Sequence, residues 1–288
     1  MSDVIIIGKG PAGISAALYT TRAGLSTTII GKDGGALQKT DKIDNYYGFT
    51  DTISGESLVE NGIQQATRLG AEVVTAEVLG LSYETQFIVK TSAGDYLADG
   101  IILATGAQRT APKIPGLLEY EGRGVSYCAV CDSFFYRGKD VAVLGCCDYA
   151  LHEALELLPI AKSVTIVTNG DVPIDSIPKE ISVITTKVKE FSGEDTISAI
   201  VFEDGSKLAV AGVFIAVGVA GSSDLARKIG VQTQGNKIMV EESMGTNIPG
   251  FYAAGDCTGG MLQIAKAVYE GAQAGSQLVK YLRKRKGK

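Results

Sequence analysis

The chain has 288 residues, of which 45% are hydrophobic and 20% charged, so it can bury large cores and is not a disordered chain. Its length suggests two domains. A net charge of −5 without an internal basic stripe argues against nucleic acid as a partner. We find no signal peptide and no apolar run long enough to span a membrane. The five cysteines are too few for a disulfide scaffold. Together, these observations predict a protein of the reducing cytoplasm.

A glycine motif follows the first predicted strand. Ser2–Ile7 is an apolar run typical of a buried parallel strand, and Ile14–Ala23 has a helical pattern. Between them lies G-x-G-x-x-G, whose glycines permit a tight turn, close approach to a pyrophosphate and close packing of helix on strand. An ordinary glycine-rich turn is the alternative. The context favours a dinucleotide site at the helix N-terminus, built from Gly8, Gly10, Pro11, Ala12 and Gly13.

The acid that binds ribose in such a site lies near the end of the second strand, which we predict at Thr27–Ile30. Asp33 is the nearest candidate, with Lys32 and Gly34 as alternatives. An amphipathic helix is predicted next, at Glu56–Leu69.

Several short strands are predicted after this helix, with a turn at Gly94-Asp95. We place antiparallel strands at Ala71–Leu81, Phe87–Thr91 and Tyr96–Leu97. A separate buried strand, Gly100–Ala104, ends in Ala104-Thr105-Gly106.

The segment Cys128-Ala129-Val130-Cys131-Asp132 carries the clearest chemistry. Two cysteines with this spacing can close a small disulfide ring and shuttle two electrons, because the second thiolate resolves a mixed disulfide. Asp132 can supply or remove the proton that thiol chemistry needs. Taken alone, C-x-x-C could also be half a zinc site or a structural disulfide. The nucleotide-binding signals on both sides favour a redox pair.

A second strand–turn–helix unit follows, with strands predicted at Arg137–Leu144 and Ser163–Thr168 and a helix at Leu151–Leu158. Its turn, Gly145-Cys146-Cys147, looks like a degraded copy of the first glycine motif. Cys147 puts a side chain where a pyrophosphate needs glycine, and we expect Tyr149 to add bulk there.

The strand at Ser163–Thr168 also lacks the cations that an NADP site requires. It is followed by Asn169, Gly170 and Asp171, and an acid at this point would repel a 2′-phosphate. We interpret this second site as retained in structure but unable to hold NADPH.

Cys146 and Cys147 do not predict a metal site, because they lack the two-residue spacer of a zinc knuckle. A disulfide between them is also unexpected, since neighbouring Cα atoms lie about 3.8 Å apart, short of the usual range. We expect both to fill space in the turn.

The remaining chain predicts a small sheet, further strands and a long final helix. The sheet is placed at Ile181–Lys189, Ala199–Phe202 and Lys207–Val210, and the later strands at Gly212–Val217 and Ile248–Ala254. The last strand leads into Gly255-Asp256, and the helix is placed at Leu262–Leu282. Its basic tail contains Lys280, Arg283, Lys284, Arg285, Lys286 and Lys288.

In the order of its motifs, the chain resembles the low-molecular-weight thioredoxin reductases over nearly its full length. The residues that carry the resemblance are Gly8–Gly13, Ala104–Gly106, Cys128–Asp132, Gly255–Asp256 and Leu262–Gly275. It implies an α/β fold of two Rossmann-like, doubly wound, three-layer domains. An FAD-binding domain, residues 1–109 and 220–288, would be split by a smaller, degenerate NADPH-type domain, residues 110–219, that carries the C-x-x-C. It also implies a homodimer, FAD as cofactor and thioredoxin as substrate.

The resemblance assigns a role to each site residue. Cys131 would face the flavin and accept its electrons, Cys128 would exchange with the thioredoxin disulfide, and Asp132 would relay the proton. The FAD would be bound by Gly8, Gly10, Pro11, Ala12, Gly13, Asp33, Asn45, Ala104, Thr105, Gly106, Gly255, Asp256, Gln263 and Ile264. We expect the cysteine pair to leave the flavin in order to reach thioredoxin. This movement would occur at linkers near Gln108–Pro112 and Val219–Ser223.

The chain departs from the wider family at the second glycine motif and its following arginines. In this it resembles the ferredoxin-dependent flavin thioredoxin reductases of anaerobic bacteria, which implies reduced ferredoxin as electron donor. The basic tail would then be either a docking element for an acidic ferredoxin or a solvated helix end. Three alternatives remain: an NAD(P)H-dependent reductase with an atypical nucleotide site, a dithiol oxidase that uses oxygen, and a non-catalytic flavoprotein.

Overall fold

In the computed structural model, which describes residues 2–106, 112–218 and 221–287, the chain folds around two mainly parallel β-sheets. Described residues 2–106 and 221–287 form one compact unit, here the split unit, and 112–218 form the inserted unit. The domain boundaries predicted at residues 109–110 and 219 lie outside the described residues. Residues 108–111 of the first predicted linker and residues 219 and 220 of the second also lie outside the described residues. The predicted α/β class with Rossmann-like parallel sheets is confirmed.

The first segment of the split unit contains two helices, α1 (Pro11–Arg22) and α2 (Gly55–Arg68). Its strands are β1 (Ser2–Ile7), β2 (Thr27–Ile30), β3 (Glu72–Val74), β4 (Val78–Tyr83), β5 (Phe87–Thr91) and β6 (Gly94–Leu103). Strands β3, β2, β1 and β6 are parallel neighbours in that order. The single strand predicted at Ala71–Leu81 was wrong, because this segment supplies both β3 of the parallel sheet and β4 of an antiparallel ribbon.

Strand β6 belongs to two pairings at once. Its first half pairs antiparallel with β5, and its second half pairs parallel with β1. The sequence suggested two strands because the first residues of β6 are largely exposed, whereas its last four are all buried. The predicted turn at Gly94-Asp95 was also wrong by two residues: the turn is formed by Ser92 and Ala93, and Gly94 already pairs with Thr91.

The inserted unit contains helices α3 (Ala129–Asp132) and α4 (Asp148–Leu157). Its strands are β7 (Val125–Ser126), β8 (Asp140–Leu144), β9 (Ser163–Val167), β10 (Ile181–Ile184), β11 (Val188–Gly193), β12 (Ile197–Phe202), β13 (Lys207–Ala209) and β14 (Gly212–Ile215). A parallel sheet has the order β10-β9-β8-β14-β7, and β11-β12-β13 form an antiparallel sheet. The predicted strand Ile181–Lys189 therefore divides between the two sheets.

The chain returns to the split unit with α5 (Ser222–Arg227) and three short strands, and it ends in a long helix. The strands are β15 (Thr233–Gln234), β16 (Lys237–Ile238) and β17 (Phe251–Ala253), and the helix is α6 (Ile264–Arg285). Strand β17 pairs parallel with β6, so the two segments of the split unit share one sheet. This pairing brings the loop after β17 to the same sheet edge as the turn after β1.

Helices α1 and α6 pack against each other through small residues. A Cβ atom on Gly271 would lie 2.1 Å from the backbone oxygen of Ala12, and one on Gly275 would lie 2.7 Å from that of Ala16. The Ser15 hydroxyl adds a hydrogen bond of 2.7 Å to the carbonyl of Val268. Glycine therefore sets how closely the two helices approach.

We expect Gly271→Ala to destabilise the protein. The substitution raises helix propensity by about 1 kcal/mol, but its methyl group meets a backbone carbonyl that cannot rotate away. The clash should dominate, with a net loss of about 1–3 kcal/mol, measured as a lower midpoint of thermal unfolding. The control is Lys280→Ala on the exposed face of the same helix. Equal midpoints for the two variants would contradict this packing.

Candidate active site

The C-x-x-C pair forms a disulfide at the start of a short helix. Cys128 and Cys131 are bonded, with Cα atoms 5.3 Å apart. Cys128 is the N-cap of α3, and its Sγ accepts a hydrogen bond of 3.2 Å from the backbone N–H of Cys131. Cys128 is buried, whereas Cys131 is exposed. A backbone N–H directed at a sulfur favours the thiolate that reduction of the bond produces.

Ser126 connects the disulfide to the predicted proton relay, Asp132. The Ser126 hydroxyl donates to Asp132 Oδ2 at 2.7 Å and accepts from the N–H of Cys128 at 3.1 Å. Burial, followed by the charge of Asp132, raises the pKa of Tyr136. Ser126 was not predicted as a site residue, because its only signal in the sequence is its position two residues before the first cysteine.

Glu153 on α4 is a second residue that the sequence analysis missed. Its Oε2 accepts a hydrogen bond of 2.8 Å from the N–H of Ala129, the residue after Cys128. Glu153 is 1% exposed, which is unusual for a glutamate and marks a structural or functional contact. The sequence does contain a signal for it: Glu153 has helical spacing with Tyr149 and Leu157, so an acidic residue falls on the buried face of the helix.

Two aromatic side chains stand exposed directly after α3. Phe134 is 69% and Phe135 67% exposed, and the Arg137 guanidinium lies 5.4 Å from the centre of the Phe134 ring. Adjacent exposed phenylalanines beside a reactive group are typical of a surface that another protein covers.

The first glycine motif has the geometry that a pyrophosphate site requires. A Cβ atom on Gly8 would lie 2.2 Å from the Ala104 carbonyl oxygen, and one on Gly13 would lie 2.0 Å from the Gly8 carbonyl oxygen. At Gly10, the N-cap of α1, a Cβ atom would meet nothing within 4 Å. Pro11 and Ala12 begin the helix. The outer two glycines are thus needed for packing, while the middle one leaves open the approach to the helix N-terminus.

Asp33 lies beyond the end of β2, where its carboxylate accepts a hydrogen bond of 2.9 Å from the N–H of Gly35. Lys9, inside the glycine motif, was missed by the sequence analysis. It is 7% exposed, and its Nζ donates to the Thr75 hydroxyl at 3.0 Å. Burial lowers the pKa of Lys9, and the charge of Asp33 opposes that shift. Lys9 therefore lies close enough to Asp33 for their charges to interact.

Two predicted residues from distant parts of the chain are in direct contact. The side-chain amide of Asn45 donates to Gln263 Oε1 at 3.0 Å. Gln263 is the N-cap of α6, and Ile264 is its first residue. The start of α6 and the segment around Asn45 thus form one polar edge of the split unit.

The segment Ala104–Gly106 follows β6 and is held by Ser222 on α5. The Ser222 hydroxyl lies 2.6 Å from the Thr105 hydroxyl and donates to the Gly106 carbonyl at 2.8 Å. The Ala104 N–H donates to the Ile7 carbonyl at 2.7 Å, which continues the pairing of β6 with β1. These predicted residues therefore lie beside the first glycine motif.

The loop that begins at Gly255 is fastened to α6 by a buried ion pair. Glu270 accepts hydrogen bonds of 2.8 Å from both the Gly255 N–H and the Thr258 hydroxyl. Lys266 Nζ lies 3.0 Å from Glu270 Oε2 and donates to the Gly255 carbonyl at 2.8 Å. Burial raises the pKa of Asp256, an effect that Lys266 opposes and Glu270 reinforces. Gly255 and Asp256 were predicted from the sequence, whereas the Lys266–Glu270 pair that holds this loop was not.

The turn after β8 differs from the first motif at its critical position. Cys147 is the N-cap of α4, the place that Gly10 takes in α1. Its Sγ lies 3.5 Å from Cys146 Sγ, which lies 3.8 Å from Asp171 Oδ2. Burial, then Cys147, raises the pKa of Cys146 to about 12, so this thiol stays protonated at neutral pH. The cysteines are free, as expected.

Tyr149, which was expected to add bulk to this turn, is the second residue of α4. Tyr149 is 1% exposed, because it lies on the buried face of α4. Cys146, Cys147 and Asp171 are in contact with one another at the turn itself.

Within residues 2–106, 112–218 and 221–287, no group of three or more histidine, cysteine, aspartate or glutamate side chains could hold a metal ion. No helix in these same ranges is both long and apolar enough to cross a lipid bilayer.

Residues 2–271 match the family described as pyridine nucleotide-disulphide oxidoreductase, and the chain belongs to that family. Within it, the chain is similar to curated thioredoxin reductases. Those of Listeria innocua and Bacillus subtilis are 36% and 35% identical to it over 97% of this chain and 93% and 94% of theirs.

Two solved structures are also similar. The atypical thioredoxin reductase TRi of Desulfovibrio vulgaris Hildenborough is 43% identical, with a TM-score of 0.92 and coverage of 99% of both chains. A ferredoxin-flavin thioredoxin reductase of Clostridium acetobutylicum is 30% identical, with a TM-score of 0.71 and coverage of 100% of this chain and 99% of the other.

FAD is the cofactor of this family, and the residues of the split unit fit it. The open side of Gly10 at the helix N-terminus suits a pyrophosphate, and the end of β2 suits a ribose. The polar edge of Asn45 and Gln263 offers amide groups to a ring system.

We expect Gly10→Ala to fold normally but to bind FAD at least about tenfold more weakly, because the added methyl enters only the space that the pyrophosphate needs. FAD content per chain and the dissociation constant from flavin fluorescence test this. The thermal midpoint of the FAD-free variant is the control. Unchanged FAD affinity would show that the cofactor does not approach this turn.

Proposed function

We propose that the chain is an FAD-dependent thioredoxin-disulfide reductase whose redox-active disulfide is Cys128–Cys131 and whose electron donor is reduced ferredoxin. The disulfide at the start of α3 is the observation that carries the proposal. Bound FAD would supply two electrons, collected one at a time, to the pair.

The surroundings of the pair suit thiol–disulfide exchange. Reduction breaks the Cys128–Cys131 bond and leaves one thiolate and one thiol once one proton has been taken up. The Cys131 N–H stabilises a thiolate at Cys128, which attacks the disulfide of thioredoxin. Cys131 then attacks Cys128 Sγ, which restores the disulfide and releases dithiol thioredoxin. Asp132, oriented by Ser126, moves the proton between solvent and thiol.

The exposed pair Phe134 and Phe135 supports a protein substrate. The two rings follow the disulfide helix directly, and burying them against a partner would remove a large apolar area from water. A small disulfide would not need such a surface.

The turn after β8 supports a donor other than NADPH. A dinucleotide would bring its pyrophosphate to the N-terminus of α4, where Cys147 places a side chain, and Asp171 would repel a 2′-phosphate beyond β9. The similarity to a structure described as a ferredoxin-flavin thioredoxin reductase supports ferredoxin.

The end of α6 offers only part of its basic tail to an acidic ferredoxin. Lys286 contacts Asp3 at 2.5 Å and Asp99 at 3.3 Å, and Arg283 donates to the Ala23 carbonyl at 3.1 Å. The tail's exposed cations apart from these two are Lys280, Lys284 and Arg285. Lys288 lies outside the described residues.

We further propose a cytoplasmic homodimer, as the family resemblance implies.

We expect the visible flavin band to bleach anaerobically with reduced ferredoxin, but not with NADPH or NADH. Subsequent addition of oxidised thioredoxin should restore the band and yield dithiol thioredoxin. Bleaching by NADPH would contradict the proposed donor and indicate a nucleotide-dependent reductase. Peroxide formation coupled to thiol oxidation in air would instead favour the dithiol oxidase.

Cys131→Ser should lower the rate of thioredoxin reduction by at least about a thousandfold, while ferredoxin still bleaches the flavin. The matched control is Cys146→Ser, which should keep the full rate because Cys146 takes no part in exchange. Retained turnover in Cys131→Ser would exclude this pair as the redox centre, and equal loss in both variants would indicate a general structural defect.

A further inference from the structure

A buried hydrogen bond joins the first turn of α3 to α4. Ala129 provides the first N–H of α3, a group that has no partner within its own helix. It donates to Glu153 Oε2 at 2.8 Å, and Ala129 and Glu153 are 0% and 1% exposed. Water therefore cannot easily replace the carboxyl group as an acceptor.

We infer that Glu153 is a positioning residue for the Cys128–Cys131 pair. This inference rests on the proposed redox role of the pair. By holding the Ala129 N–H, Glu153 keeps the turn in the conformation that directs the Cys131 N–H at Cys128 Sγ. The residue acts through the backbone and does not itself contact thioredoxin.

The turn is held from two sides. Ser126 accepts from the Cys128 N–H, and Glu153 accepts from the Ala129 N–H. Ser126 and Glu153 therefore fix two successive backbone N–H groups next to Cys128 Sγ, the sulfur that attacks thioredoxin in the proposed exchange. Removing either acceptor would leave a buried N–H to find a new partner, which requires the turn to move.

This contact gives α4 a function that does not depend on nucleotide binding. Cys147 is the N-cap of the helix, whereas Glu153 lies on the buried face with Tyr149, Ala150 and Leu157. The turn before α4 can lose its glycine without affecting the support of the redox pair. The helix of a degraded nucleotide site is therefore still required for disulfide chemistry.

Three variants of the FAD-loaded protein test the inference: Glu153→Ala, Glu153→Gln and the control Glu156→Ala on the same helix. The first measurement is hydrogen–deuterium exchange at the Ala129 amide. We expect slow exchange in the wild type, Glu153→Gln and Glu156→Ala, because an amide oxygen can still accept the bond. Exchange should be at least about tenfold faster in Glu153→Ala.

The second measurement is the equilibrium of the Cys128–Cys131 disulfide with dithiothreitol, read by alkylation after acid quenching and denaturation. Losing the N–H contact to Cys128 destabilises the thiolate. The equilibrium constant for reduction should fall about tenfold in Glu153→Ala, which corresponds to about 30 mV. Glu153→Gln should stay within about twofold of the wild type. A general loss of stability would not produce rescue by the conservative variant.

Fast exchange of the Ala129 amide in the wild-type protein would overturn the inference without any variant, even if Glu153→Ala failed to fold. So would a Glu153→Gln variant that behaves like Glu153→Ala. Neither assay contains thioredoxin, ferredoxin or NADPH. A failure here is therefore distinguishable from a failure of the proposed electron donor or substrate.

Discussion

A backbone that must approach a pyrophosphate cannot carry a side chain at the point of contact, and the two strand–turn–helix units of this chain differ at that point. At Gly10 a Cβ atom would meet open space, so the N-terminus of α1 can be reached. At the corresponding N-cap of α4 stands Cys147. This difference underlies the proposal that the same local fold binds a dinucleotide in the split unit but no longer does so in the inserted unit.

Packing explains why the loss of one glycine leaves the rest of the inserted unit intact. Gly145 is still required, because a Cβ atom there would lie 2.1 Å from the Ala216 carbonyl oxygen. The parallel pairing of β8 with β9 and β14 is complete, and α4 still buries Tyr149 and Glu153. Structural and nucleotide-binding requirements fall on different residues of one turn, so one set can be lost without the other.

The sequence allowed accurate prediction where a feature depends on neighbouring residues. The glycine motif, the C-x-x-C pair and the apolar run of β1 are local patterns, and the structure confirms the strand, the helix and the disulfide. The close approaches at Gly8 and Gly13 agree with the tight turn and the helix–strand packing that the motif predicts.

Features that depend on long-range contacts could not be predicted in this way. Strand β6 was divided in two because its halves have different neighbours and therefore different burial. The Lys266–Glu270 pair and Glu153 each contact the backbone of a segment elsewhere in the chain. No sequence motif relates these side chains to the segments that they contact. The start of α4 was placed three residues too late, so Tyr149 was assigned to the turn before the helix and not to the buried face of its first turn.

The most direct test of the account is the affinity of the FAD-loaded protein for NADPH, measured by titration calorimetry under anaerobic conditions. The measurement is independent of whether any electron reaches the flavin, so it examines the inserted unit alone. The account predicts no saturable binding up to millimolar nucleotide. Saturable binding with a micromolar dissociation constant would contradict it, because the turn at Cys147 would then accept the pyrophosphate that its side chain is argued to exclude.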